Sequence, residues 1–219
     1  MIVIGGMIGL GKTSIAELLS NFFKSEIYYE SVENNPILPL FYTLEEEELL
    51  KQRLPFLLQL HFLHTRFESI RSAKKNRLSI LDRSLAEDEY FATVNYELGR
   101  ISKLELDMYK QLMYSMMKDI EELPYKKHPD LMVYLQGSFD TVMARISLRG
   151  REFEQDQKLV EYYRTLWSGY DEWIHNHYND SEILILDMDK LDIVNSKEDA
   201  QYVIDAVQNK LRNLHQPIN

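Results

Sequence analysis

The chain has 219 residues, no cysteine and a formal net charge of −10. Without cysteine, disulfides and thiolate metal sites are excluded, and the acidic balance argues against a nucleic-acid partner, which is normally met by a basic footprint. No apolar run approaches the ~20 residues of a membrane-crossing helix, and Met1 to Ile4 lacks the basic flank of a signal peptide, so a cytoplasmic protein with one domain over 1–219 is expected.

In chain order, the first element is the apolar run Ile2-Val3-Ile4, a buried strand. It runs directly into Gly6-Met7-Ile8-Gly9-Leu10-Gly11-Lys12-Thr13, a glycine-rich loop of the form GxxxxGK[ST], and then into an amphipathic helix over 14–24. Backbone N–H groups of such a loop, with the positive end of the helix behind them, make a nucleotide-phosphate site. Lys12 is expected to reach the β- and γ-phosphates, and Thr13 to bind Mg²⁺. Further strands are predicted at Glu26 to Tyr29, Leu78 to Leu81, Leu131 to Leu135 and Ile183 to Leu186, all short and apolar. Between them lie segments of helical length at about 55–75, 103–122, 138–148, 156–178 and 197–213. The alternation predicts an α/β protein with a parallel sheet of about five strands flanked by helices. The acidic run Glu45 to Glu48 reads as a solvated helix start, and the six histidines show no metal-ligand spacing.

In such sheets ligands gather beyond the carboxyl ends of the strands. That rule selects Glu30, after the second strand, and Asp82-Arg83-Ser84, after the third. Asp82 is placed to supply a carboxylate for Mg²⁺, and Glu30 has the reach of a general base for an incoming hydroxyl. Strand-end carboxylates are also common helix caps. Arg145, Arg149 and Arg151 cluster at the end of the 138–148 helix. On a mobile lid they would neutralise a transferring phosphoryl group; as plain helix-end cations they would answer the macrodipole.

Taken together, these residues resemble the deoxyribonucleoside kinase family, bacterial deoxyadenosine/deoxyguanosine kinases in particular. The similarity runs in order through Gly6 to Thr13, Tyr29-Glu30-Ser31-Val32, Asn35-Pro36, Phe41-Tyr42, Gln59 with Arg66, Asp82-Arg83-Ser84 with Asp88, and Arg149-Gly150-Arg151 with Glu154-Gln155. The resemblance implies a P-loop kinase fold and ATP-dependent 5′-phosphorylation of deoxyadenosine, deoxyguanosine or deoxycytidine in nucleotide salvage. It also implies a homodimer, or a heterodimer with a related subunit, paired through bundled helices. By the same resemblance Glu30 is the catalytic base, and Arg83 contacts that carboxylate and the phosphoryl region. Arg149 and Arg151 belong to a lid over about 149–156, with Arg145 one turn behind on the ATP side. Glu154 and Tyr42 bind the sugar 3′-hydroxyl, although several residues are inserted around Thr43 to Gln52.

The base pocket has its own chemistry. Gln59 and Arg66 are seven residues apart, two turns along one helical face. A glutamine amide offers a donor and an acceptor edge that suit adenine N6 and N7. The resemblance pairs Arg66 with Asp88 at the far end of the pocket. Two alternatives are a thymidylate-type monophosphate kinase, which must hold an acceptor phosphate, and a nucleotide-gated switch without a small acceptor. Glu30 favours an alcohol over a phosphate, because a carboxylate deprotonates the one and repels the other.

Overall fold

Ile2–Gly6 forms strand β1 with every residue buried. In the computed structural model, which describes residues 1–32, 34–74, 78–121 and 128–214, it is the central strand. β2 (Glu26–Tyr28), β3 (Ser79–Asp82), β4 (Leu131–Gln136) and β5 (Glu182–Asp187) complete a sheet of order β2-β3-β1-β4-β5. All pairings are parallel, with Ile4 opposite Asp82 on one side and Gly6 opposite Leu135 on the other. Parallel strands need crossovers, and helices covering both faces explain why β1, β3 and β4 are apolar almost throughout rather than alternating.

Helix α1 (Lys12–Phe23) packs on β1, β2 and β3 and touches α9 (Lys197–Leu214), which covers β5. Helix α4 (Leu54–Ala73) lies on β2 and β3 and gathers α5 (Leu85–Glu97) and α6 (Lys103–Glu121). Fully buried Ile2, Ile4, Ile15, Leu19, Ile80 and Leu135 knit sheet and helices together, each contributing roughly 1.5–3 kcal/mol by removal from water. β1 has β3 on one side and β4 on the other, so the chain reverses its direction of build at β1. The crevice at that reversal opens beyond Gly6, Asp82 and Gln136.

The predicted strands and long helices are all present, with ends shifted by a few residues. The predicted helix ends at 75 and 122, and His215, lie outside the described residues. Two helices lie where none was predicted, α2 (Leu38–Thr43) and α5, while α3 (Glu46–Lys51) begins at the acidic run that reads as a helix start. α2 ends at Thr43, and α3 carries Glu46, Glu47 and Glu48 in its first turn, where the macrodipole favours acids. α5 begins with a capping box: the Ser84 side chain accepts from the Glu87 N–H, and the Glu87 carboxylate accepts from the Ser84 N–H. Its start is thus set locally, without an amphipathic stripe. α7 (Phe139–Arg149) ends at Gly150, whose φ of 70° turns the chain into a short 3₁₀ turn, Glu152–Glu154, before α8 (Leu159–Asn176).

Candidate active site

The phosphate loop joins β1 to α1 through a backbone that only glycine fits at its first position. Gly6 has φ 139°, and a Cβ there would lie 2.7 Å from the Leu135 carbonyl oxygen. The Lys12 ammonium folds over the loop and donates to the carbonyls of Gly6 and Met7, both at 3.1 Å. Burial pushes its pKa down to about 8, aided by nearby Arg83 and opposed by Glu30, Asp82 and Glu87. Thr13 Oγ1 donates to Asp82 Oδ2 at 2.6 Å. The other oxygen, Asp82 Oδ1, is buried without a hydrogen-bond partner, and burial raises the pKa of this carboxyl. A hydroxyl and a carboxylate with one unsatisfied hard oxygen, beside a phosphate loop, are a donor set that suits Mg²⁺.

Arg83 is the hub of the adjoining cluster. Its backbone is left-handed, φ 82°, and its N–H is pinned to the Ile4 carbonyl at 2.9 Å. The guanidinium is buried; Nε donates to Glu30 Oε1 at 2.7 Å, and its face lies over the Phe91 ring, 4.6 Å from the centroid. Glu30 also has Arg66 at 3.7 Å. Burial opposes its ionisation, but Arg83, Lys12 and Arg66 prevail and hold its pKa at about 2. Glu30 is therefore ionised at any physiological pH.

Gln59 and Arg66 share the buried face of α4, as the seven-residue spacing predicts. Arg66 Nε donates to Asp88 Oδ2 at 3.1 Å, with both side chains nearly inaccessible. Burial pushes Asp88 up to about 6 against the pull of Arg66 and Arg83. Tyr42, on α2, is buried and stacks on Phe153 with centroids 5.8 Å apart. Burial, with the charges of Tyr163, Tyr162 and Glu154 nearby, raises its pKa and keeps it a donor. Glu154 is 3% exposed and receives Arg149 on Oε2 and Arg151 on Oε1, the latter at 3.3 Å. Arg145 bonds instead to backbone: the Leu10 carbonyl at 2.9 Å, Met188 at 2.8 Å and Leu191 at 3.0 Å. It ties the phosphate loop to the β5–α9 connection.

These residues line two adjoining cavities. An inner pocket is walled by Tyr42, Gln59, Phe91, Asp88, Glu154 and Tyr162, and a cleft of about 1130 Å³ opens along Gly9, Gly11, Thr13, Asp82, Arg145 and Leu191. Lys12, Glu30, Arg149 and Arg151 line both. Three cations and one carboxylate thus stand where the two spaces meet. Of the catalytic and binding residues selected from the sequence, Gly6, Met7, Leu10 and Arg66 line neither cavity, Arg66 standing behind Asp88; the others line one or both. Sequence reading missed Glu87, fully buried against the loop, and the aromatic wall of Phe91 and Tyr162. Ser84-x-x-Glu87 was legible as a capping box; the aromatics carried no local signal.

A phosphate loop on a parallel sheet, opening onto cavities lined by Glu30, Arg149 and Arg151, is the arrangement of a nucleotide-dependent phosphotransferase. The sequence model described as Deoxynucleoside kinase matches residues 2–212, and the chain belongs to that family. It is 41% identical to the deoxyguanosine kinase of Lactobacillus johnsonii, over 98% of this chain and 93% of that one. It is 36% identical to the deoxyadenosine kinase of Lactobacillus acidophilus, over 98% and 97% of the two chains. Among solved structures it is similar to deoxyadenosine kinase from M. mycoides with bound dATP, with TM-score 0.74 and 29% identity over 96% of this chain and 98% of that one. The chain is a kinase that phosphorylates deoxynucleosides.

Proposed function

We propose that the enzyme phosphorylates the 5′-hydroxyl of purine deoxynucleosides in cytoplasmic nucleotide salvage, with deoxycytidine a further acceptor. The observation that carries this reading is the position of Glu30: it lines both cavities and is bonded to Arg83 at 2.7 Å. A nucleoside in the inner pocket lays its base along Gln59, with the Arg66–Asp88 pair beyond, and its 3′-hydroxyl toward Tyr42 and Glu154. Glu30 then accepts the proton of the 5′-hydroxyl as that oxygen attacks the γ-phosphorus. Its low pKa makes it a weak acceptor in the ground state, so the transfer is driven as the attacking oxygen loses electron density to phosphorus. Arg149 and Arg151, freed from Glu154 as the sugar engages it, neutralise charge on the moving group, and Lys12 holds the donor phosphates.

Thr13 and Asp82 are the residues that would hold Mg²⁺, which when bound supplies charge neutralisation at the phosphates. Such a cation takes most of its ligands from phosphate and water, in keeping with the lack of any cluster of three or more His, Cys, Asp or Glu suited to a metal among the described residues. Among those residues, too, no helix is long and apolar enough to cross a membrane. A dimer, of identical or related subunits, is supported by apolar side chains left exposed along α4 and α6: Leu57, Leu104, Met108 and Leu112.

The names of the relatives point to adenine or guanine as the base, and Glu30 at the acceptor position disfavours a monophosphate substrate by repulsion. Phosphorylation of the four deoxynucleosides, measured side by side with ATP and Mg²⁺, tests the reading. Efficient turnover of a purine deoxynucleoside and poor turnover of thymidine are expected; thymidine as best substrate, or phosphorylation of thymidylate alone, would overturn it. Sedimentation of the purified enzyme, expected at twice the chain mass if the subunits are identical, tests the dimer.

A further inference from the structure

Glu87 is fully buried and every hydrogen-bonding direction of its carboxylate is filled by a donor. Oε1 accepts from the Gly6 N–H at 2.9 Å, from Arg83 Nη1 at 3.5 Å and from the Tyr170 hydroxyl. Oε2 accepts from the Ser84 N–H at 2.7 Å and the Ser84 hydroxyl at 2.9 Å. The helix cap uses only the second oxygen. The first is turned away from α5, toward the phosphate loop and the arginine that faces Glu30. A carboxyl group buried this completely is costly unless its partners compensate it, and here they come from three separate elements: the β1 loop end, the β3 end and α8.

We propose that Glu87 is a positioning residue for phosphoryl transfer, a single carboxylate that fixes the first N–H of the phosphate loop and the guanidinium of Arg83 relative to each other. The geometry gives it that reach. Gly6 begins the loop that cradles the donor, and Arg83 is shared between Glu87 on Nη1 and Glu30 on Nε. Donor and base are thereby referenced to the same oxygen. Arg83 sits on a left-handed backbone at φ 82°, an uncommon state for a non-glycine residue that its surroundings must hold. Tyr170 steadies the carboxylate from behind, its ring stacked on Tyr134 with centroids 5.8 Å apart and 8° between planes. Because the loop and the base must be aligned only when both substrates react, the effect belongs to kcat. The inference rests on the role of Glu30 proposed above.

The test is a steady-state comparison of Glu87→Gln, Tyr170→Phe and Glu30→Gln with the unaltered enzyme, each checked for thermal midpoint. Glutamine keeps the size and one acceptor oxygen but turns an NH₂ group toward donors. In Glu87→Gln, kcat is expected to fall about 10- to 100-fold, as misplacement of reacting groups does, while KM for the nucleoside changes less than about threefold. A residue that only caps α5 would lower the thermal midpoint and leave kcat per folded enzyme unchanged, and that result overturns the proposal. If Glu87→Gln does not fold, Tyr170→Phe decides: a kcat lowered about threefold or more at near-normal KM supports the role, and full kcat overturns it. Glu30→Gln separates the two levels. An inactive Glu30→Gln beside a fully active Glu87→Gln removes only this inference, whereas an active Glu30→Gln removes the assignment of the base.

Discussion

Arg83 Nε lies 2.7 Å from Glu30 Oε1, although 53 residues separate them in the chain. The contact exists because β2 and β3 are parallel neighbours, which brings residues just beyond their carboxyl ends together. It holds the carboxylate ionised and oriented toward the meeting point of the two cavities. Glu30→Gln is therefore expected to keep the fold and the binding of both substrates and to lose about 10²- to 10⁴-fold in kcat, the usual cost of removing a general base. Rapid-quench measurement of a single turnover checks this, and a near-normal rate moves the base elsewhere.

Arg149 and Arg151 share one buried partner, Glu154. If they neutralise the transferring phosphoryl group, alanine at Arg149 or Arg151 lowers kcat about 10²-fold or more and changes nucleoside affinity much less. Lysine restores little, because a point charge lacks the planar fork. Equal losses in affinity and in kcat would mean that the arginines serve mainly to hold Glu154.

Asp88 should set the acid limb of nucleoside use. Its pKa is raised to about 6 by burial, so it is ionised above that pH and protonated below, where it no longer anchors Arg66. Glu30, at about 2, contributes no limb in the working range. The value of kcat/KM for the nucleoside is expected to fall as pH drops through about 6, and Asp88→Asn should abolish that limb. Stability runs the other way: a carboxyl whose folded pKa is raised above 3.8 contributes stability that is fully present below that pH and lost as pH rises through about 6. A limb that survives in Asp88→Asn assigns it to another group.

Base choice is expected to depend on Arg66 and Asp88 as a pair. Arg66→Met alone leaves Asp88 as a buried charge without its partner, a loss of about 3–5 kcal/mol by comparison with other buried pairs. Arg66→Met with Asp88→Ala removes both charges and should be the more stable variant, with the pocket opened to thymidine. Thermal melts and competition between thymidine and deoxyadenosine read both effects; if the double variant is the less stable and rejects every base, the pair does not act as a unit.

Much of the site was legible from local chemistry. A glycine-rich loop between an apolar strand and a helix can do few things, and the placement of Glu30 and Asp82 follows from strand ends in a parallel sheet. Gln59 and Arg66 share a buried face because seven residues are close to two helical turns. The helix at Leu38–Thr43 was not legible, since it is only six residues long and held by packing rather than by an apolar repeat, whereas the acidic run Glu45 to Glu48 marked the start of Glu46–Lys51.

What the sequence determined by itself is the set of residues whose neighbours along the chain define their geometry: the phosphate loop, the strand ends and the two-turn spacing on α4. Only the tertiary structure decided that Arg83 divides its guanidinium between Glu30 and Glu87, that Glu154 receives both Arg149 and Arg151, and that Arg145 serves backbone carbonyls from two loops. The reason is physical. A buried polar side chain is satisfied by whichever donors and acceptors the fold delivers to it, and for these residues most of the partners come from elements distant in the chain.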